Sequence, residues 1–132
     1  TRALFEINKG VNKHDSKIDV NSKVPKASRR VQFENMIYIA DGPSDVPAFS
    51  LVKGKGGSTF AIYPKGNIKA FKPVEKLRME GRVDMYAEAD YSENGTAYMW
   101  ISNKIHELAE RIVSKERAKL AEFSLGTPRH LL

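Results

Sequence analysis

The chain has 132 residues, of which 41% are hydrophobic and 29% are charged, and its formal net charge is +6. This length suits one domain, and the composition is typical of a globular protein. The absence of cysteine excludes disulfides, zinc–thiolate sites and thiol catalysis. No apolar run approaches the roughly 18 residues of a membrane helix, and the N-terminus has no signal-peptide pattern, so we expect a cytoplasmic protein. Because the sequence does not begin with methionine, we also expect a trimmed chain or a piece of a longer one.

The first predicted elements are a short helix and an apolar strand. Apolar residues at helical spacing predict a helix over residues 1–10, ended by a glycine. Residues 11–30 are polar and irregular, which predicts a long loop. The apolar run over residues 33–40 predicts a strand that is buried on both faces, as in a parallel sheet.

The rest of the chain alternates helices with strands. Ser44 predicts the cap of a helix that ends near Lys53. The later predicted elements are a strand over 59–63, a helix over 73–80, a strand over 83–87, and a helix from Thr96 to about Phe123 with a loose tail from about residue 124. This alternation predicts an α/β fold: a Rossmann-like parallel sheet layered with helices, in a single domain over residues 1–132. Three strands are few for such a sheet, which usually has about four to six.

Residues 37–47 give the strongest local indication of a functional site. The predicted strand delivers Asp41 to the carboxyl edge of the sheet, where open α/β proteins bind their ligands. Gly42 is expected to let the chain turn sharply, so that Asp45 returns beside Asp41 at the start of a helix. Two carboxylates on one turn suit Mg²⁺, and the helix N-terminus favours an anion. The alternative is structural, with Asp41 starting a turn and Asp45 capping the helix.

The segment Ala-Asp-Gly-Pro-Ser-Asp of residues 40–45, placed after a strand, resembles the fourth motif of the haloacid dehalogenase (HAD) superfamily. The following helix and strand look like that family's continuation, so the resemblance covers roughly residues 1–64. The segment Glu88-Ala-Asp90-Tyr91 and the long C-terminal helix look like one bacterial branch of these hydrolases.

The resemblance implies a Mg²⁺-dependent phosphatase that acts on a small phosphorylated metabolite. In the family, a nucleophilic Asp forms an aspartyl-phosphate and an Asp two residues later serves as general acid and base. A lysine steadies the nucleophile and the phosphate, and Mg²⁺ offsets the negative charge. The resemblance maps the metal ligands onto Asp41, as a direct ligand, and Asp45, as a second or water-mediated one.

Two features of the family are missing from this sequence. The six Asp residues stand at positions 15, 19, 41, 45, 84 and 90. No two of them form an Asp-x-Asp pair, so the nucleophile is absent. The family's lysine usually starts the helix before the motif strand; here Lys9 lies at the wrong end of that helix, and Lys26 in the next loop is a substitute. The resemblance therefore implies an incomplete HAD core, inactive alone, whose 33–40 strand has an open edge that pairs with the missing N-terminal half or with a copy of itself.

Two other classes of function stay open. The chain can be a non-enzymatic α/β binding or assembly module that another chain completes, or a basic nucleic-acid-binding domain. A nucleic-acid face would use the basic residues between Lys65 and Arg82, but Phe71 is the only aromatic residue among them, which disfavours this class. Glu88 and Asp90 either line the rim of the site or are exposed charges at the sheet edge.

Overall fold

The computed structural model describes residues 2–9 and 31–131, and the side chains of residues 3–9 and 31–125. The helices are α1 (Arg2–Lys9), α2 (Val46–Gly54), α3 (Ile68–Met79) and α4 (Thr96–Leu131), and the strands are β1 (Ile37–Ala40), β2 (Ser58–Tyr63) and β3 (Met85–Glu88). Two short 3₁₀ segments, Phe33–Asn35 and Pro43–Asp45, flank β1. The long loop expected over residues 11–30, with Lys26, lies outside the described residues.

The strands form a parallel sheet in the order β1-β2-β3. In this sheet Tyr38 is in register with Thr59, and Ala61 is in register with Tyr86. Parallel neighbours need a crossover connection, and here α2 and α3 supply the two crossovers. The predicted small α/β fold with a parallel sheet and a long C-terminal helix is confirmed.

The strand β1 differs from its prediction in length and in burial. It begins at Ile37 because Phe33–Asn35 forms a 3₁₀ turn instead of continuing the strand. All four of its residues are only half-buried. The cause is its position, because β1 is an edge strand within the described part of the chain. The central strand β2 is the one that is buried, over residues 58–61.

The helices α2 and α3 also begin at positions other than those predicted. Ser44 lies inside a 3₁₀ turn, so Asp45 occupies the N-cap of α2 and makes no capping hydrogen bond with its side chain. The helix α3 begins at Ile68, because the side chain of Asn67 accepts a hydrogen bond from the backbone N–H of Ala70 at 3.1 Å. The sequence predicts a start at Pro73, but this proline lies inside α3.

The C-terminal helix α4 belongs to the second of two compact units, Tyr91–Leu132, whereas the sheet belongs to the first, Thr1–Asp90. It begins at Thr96 as predicted and continues to Leu131, past the predicted end near Phe123. The tail expected to be loose from about residue 124 is therefore helical as far as Leu131. No helix among the described residues is long and apolar enough to cross a membrane.

The core of the first unit has two parts. On one face of the sheet, α2 and α3 bury Phe49 and Val74 completely against Ala61. The second part packs α1 against α2, with Leu4 and Val52 among its buried residues. Full burial of an apolar side chain of this size contributes roughly 1.5–3 kcal/mol, so α2 is fixed from both sides.

A network of hydrogen bonds and one ion pair joins β2, β3 and α2 near the amino ends of the strands. The carboxylate of Asp84 accepts hydrogen bonds from the backbone N–H of Thr59 at 2.8 Å and from its hydroxyl at 3.2 Å. The Thr59 hydroxyl in turn accepts from the backbone N–H of Asp84 at 3.0 Å. Lys53 of α2 lies 3.3 Å from the other Asp84 oxygen. Thr59 is fully buried, so these bonds satisfy polar groups that water does not reach.

Gly57 stands where no larger residue fits. A Cβ at this position would lie 2.5 Å from the carbonyl oxygen of Phe33 and would overlap the side chain of Val52. We expect Gly57→Ala to lower the free energy of unfolding by about 1–3 kcal/mol, because the backbone must shift to admit the methyl group. Urea unfolding measures the change.

Gly54→Ala is the matched control, since a Cβ at Gly54 would meet no atom within 4 Å. Gly54 ends α2, and alanine is the better helix former, so this variant should be as stable as the parent or slightly more stable. Equal losses of stability in the two variants would contradict the steric explanation for Gly57.

Candidate functional site

The loop after β1 carries the two predicted metal ligands. Asp41 is the first residue beyond the carboxyl end of β1 and is exposed, whereas Asp45 is half-buried at the N-cap of α2. The chain bends at Gly42 as expected, although the backbone of Gly42 itself is extended, with φ −178°. The 3₁₀ segment Pro43–Asp45 reverses the chain, and the N–H of Asp45 donates to the carbonyl of Gly42 at 3.0 Å.

Tyr38 fixes the orientation of Asp45. Its hydroxyl donates a hydrogen bond to Oδ1 of Asp45 at 3.2 Å, and its ring packs edge-to-face against Phe49 with centroids 5.3 Å apart. Burial raises the pKa of the Tyr38 hydroxyl, and the negative charge and hydrogen bond of Asp45 and then the charge of Asp41 raise this pKa further. Asp45 is thus held by a direct hydrogen bond from Tyr38, whereas Asp41 influences this hydroxyl only through its charge.

Tyr38 is a residue of this site that the sequence analysis did not identify. The presence of a tyrosine in an apolar strand could have indicated this role, because the hydroxyl of a buried tyrosine usually needs a polar partner. Asp45, seven residues later, is that partner.

The donor set of this loop fits part of a site for a hard divalent cation. Mg²⁺ is bound through one or two carboxylates and keeps several waters, and Asp41 and Asp45 supply two carboxylates. Within residues 2–9 and 31–131, no group of three or more His, Cys, Asp or Glu residues is placed to hold a metal. The described chain therefore offers two ligands and no complete cage. Of the two lysines considered, Lys9 lies in α1 near the ring of Phe5, and Lys26 is outside the described residues.

The carboxyl ends of β2 and β3 lie at the same edge of the sheet as Asp41. Tyr63 ends β2 and is in register with Glu88, which ends β3. Glu88 is half-buried, and its charge raises the pKa of the Tyr63 hydroxyl, which burial raises most. Asp90 is exposed two residues beyond β3. The structure thus places Glu88 on this edge, two strands away from β1.

The basic residues of α3 are not accompanied by an exposed aromatic platform. Phe71 is half-buried and packs edge-to-face against Tyr63 with ring centroids 5.3 Å apart. Its second ring neighbour is Tyr86, at 5.9 Å. Phe71 is therefore one half-buried ring that packs against two others, and no second aromatic residue between Lys65 and Arg82 extends it into a stacking platform for nucleic-acid bases.

Comparison with known proteins identifies one relative and no family. No family model and no solved structure match the chain. The chain is similar to an uncharacterized protein of Borreliella burgdorferi, with 44% identity over 108 residues. The aligned segment covers 80% of this chain and 35% of that protein, so the chain spans about a third of the length of its relative.

Proposed function

We propose that this chain is the C-terminal part of a HAD-like phosphohydrolase that depends on Mg²⁺ and acts on a small phosphorylated metabolite. The observation that carries this proposal is the loop after β1, where Asp41 directly follows the strand and Asp45, at the N-cap of α2, accepts a hydrogen bond from Tyr38. This loop leaves the carboxyl edge of a parallel sheet, which is where open α/β proteins bind ligands. A cytoplasmic location suits a chain without cysteine.

The residues of this loop would bind the metal, and the N-terminus of α2 would favour the phosphate. Asp41 is exposed and would hold the metal directly. Asp45 engages Tyr38 through Oδ1, which leaves Oδ2 as a second or water-mediated ligand. The N-terminus of α2 adds positive potential that favours a phosphate. When it is bound, Mg²⁺ offsets the negative charge of the phosphoryl group.

The nucleophile of the proposed reaction would come from polypeptide outside this chain. The sequence contains no Asp-x-Asp pair, so it has no counterpart of the family's nucleophile and acid–base residue. The Borreliella burgdorferi relative is about three times as long as the segment it shares with this chain, which is compatible with such a larger protein. We therefore expect no turnover from the 132 residues alone.

In the complete polypeptide that contains this sequence, Asp41→Asn should reduce Mg²⁺-dependent hydrolysis of p-nitrophenyl phosphate by about 10²–10³-fold, because it removes a charged direct ligand. Asp45→Asn should reduce it by about 10–100-fold, because a water-mediated ligand supplies less charge stabilisation. Initial rates across a Mg²⁺ series measure both effects.

Glu80→Gln is the control for these two variants. Glu80 is an exposed carboxylate beyond the C-terminal end of α3, where it pairs with Arg82. Glu80→Gln changes the net charge by the same amount as Asp41→Asn and Asp45→Asn, but it should leave the rate of hydrolysis unchanged. Thermal unfolding checks that each variant is folded. Full activity of a folded Asp41→Asn variant would contradict the metal assignment.

Among the described residues no strand pairs with the outer edge of β1, which supports the expectation that other polypeptide completes the sheet. The carbonyl of Met36 accepts a hydrogen bond from the N–H of Ser58 at 2.9 Å, so the backbone groups of Met36 face β2. Because successive residues of a strand direct their N–H and C=O groups to opposite edges, Tyr38 and Ala40 bond to β2, and Ile37 and Ile39 face away. Unpaired groups on an edge strand are a template for another strand.

An apolar groove lies beside this edge. Its volume is about 450 Å³, and its lining includes Leu4 and Ile7 of α1 together with Met36 and Ile37. We propose that a strand from the rest of a longer polypeptide occupies this edge and groove, because about two thirds of the Borreliella burgdorferi relative lie outside the shared segment. Backbone pairing would supply affinity, and the groove would accept apolar side chains.

Amide hydrogen exchange tests this pairing with a control inside the same strand. In the isolated chain, the amides of Ile37 and Ile39 should exchange quickly, whereas those of Tyr38 and Ala40 should be protected by β2. In the complete polypeptide all four should be protected.

Light scattering over a dilution series separates the other outcomes. Protection of Ile37 and Ile39 in a chain that stays monomeric would show that the edge is covered from within, and the proposal of a missing part would then fail. Protection that appears together with dimer formation would identify a second copy of this chain as the occupant instead.

A further inference from the structure

A second cavity lies at the carboxyl ends of β2 and β3. Its volume is about 290 Å³, and it is lined by Tyr63, Gly66, Asn67, Ile68, Phe71 and Glu88. These residues come from the end of two strands, the turn after β2 and the first turns of α3. The loop of Asp41 and Asp45 contributes none of them, so this cavity is separate from the candidate metal site.

Aromatic rings form one wall of this cavity. The rings of Tyr63 and Phe71 pack edge-to-face at an interplanar angle of 72°, and Tyr86 lies 6.5 Å from Tyr63 and 5.9 Å from Phe71. All three side chains are half-buried, so the cluster is held in place and keeps part of its surface accessible. The face of an aromatic ring carries negative potential and attracts cations.

The cavity also contains a carboxylate, Glu88, for which the described part of the chain provides no ion-pair partner. Glu88 is in register with Tyr63 on the neighbouring strand. Burial raises the pKa of the Tyr63 hydroxyl, and the negative charge of Glu88 raises this pKa further. No described residue forms an ion pair with Glu88. Lys65 and Lys69, which adjoin the lining residues Gly66 and Ile68 in sequence, are exposed, so solvent screens their repulsion of a bound cation.

We propose that this cavity binds an organic ammonium group, which lies against the rings of Tyr63 and Phe71 and pairs with Glu88. An anion would meet the charge of Glu88 and the negative ring faces. The N-terminus of α3 gives an anion little compensation, because Asn67 already caps it through the N–H of Ala70. A neutral apolar ligand would desolvate Glu88 without replacing the lost hydration. This inference is independent of the proposed function.

Titration of the 132-residue chain with tetramethylammonium, followed by ¹H–¹⁵N NMR, tests the proposal. Saturable shifts should appear at the amides of Tyr63, Phe71 and Glu88, with a dissociation constant in the millimolar range. The neutral molecule tert-butanol, which has nearly the same shape, should give no saturable shifts. Inorganic phosphate should give none at these amides.

Three variants test the chemistry of binding. Glu88→Gln should weaken tetramethylammonium binding about fivefold, because it removes the charge at constant size. Phe71→Leu should weaken it about threefold, because it keeps apolar bulk and removes a ring face. Glu80→Gln, which removes an equal charge at the far end of α3, should bind as the parent does. The amide spectrum of each variant reports its fold.

Unchanged affinity in both Glu88→Gln and Phe71→Leu would overturn the proposal. Equal binding of tert-butanol would also overturn it, since the cavity would then be an apolar pocket without preference for charge. Saturable binding of phosphate at these amides would instead assign the cavity to an anion.

Discussion

Parallel pairing of three strands is the constraint on which the rest of this structure depends. Parallel neighbours cannot be joined by a tight hairpin, so α2 and α3 must cross over and cover the sheet. The same pairing brings the carboxyl ends of β1, β2 and β3 to one edge. Asp41, Tyr63 and Glu88, which are separated by more than twenty residues in sequence, therefore lie at that edge. The hydrogen bonds between Asp84 and Thr59 hold β2 and β3 together near the opposite edge.

The sequence predicted the parts of the fold that depend on local patterns. Alternating apolar runs and turn residues were enough for three strands, for α1 and for the start of α4 at Thr96. The position of Asp41 directly after β1 was also predictable, because the apolar run ends at Ala40. The end of α3 was predicted to within one residue, but its start was not, since Pro73 is compatible with two helix starts and only the Asn67 cap decides between them.

The features that were missed depend on contacts between residues far apart in sequence or on the position of a strand in the sheet. Composition gave no reason to expect β1 to be half-buried, because an apolar strand is equally suited to an edge or a centre. The hydrogen bond from Tyr38 to Asp45 depends on the 3₁₀ segment Pro43–Asp45 that follows Gly42, and the sequence analysis did not predict this segment. The aromatic cluster of Tyr63, Phe71 and Tyr86 forms only once α3 has folded back on the sheet.

The distribution of charge bears on what this edge can bind. The net charge of +6 attracts anions at long range, but salt screens such fields beyond about 10 Å. At the carboxyl edge, Asp41 and Asp45 follow β1 and Glu88 ends β3, whereas Lys65 and Lys69 follow β2 and are exposed to solvent. A phosphate that reaches Asp41 and Asp45 therefore meets two carboxylates, and a divalent cation between them would turn this repulsion into attraction. Glu88 lies two strand spacings from β1, about 10 Å away, so a cation held by Asp41 and Asp45 would leave its charge largely uncompensated. The cation proposed for the loop after β1 would therefore not neutralise Glu88, and the ammonium group proposed for the aromatic cavity would be a separate occupant of this edge.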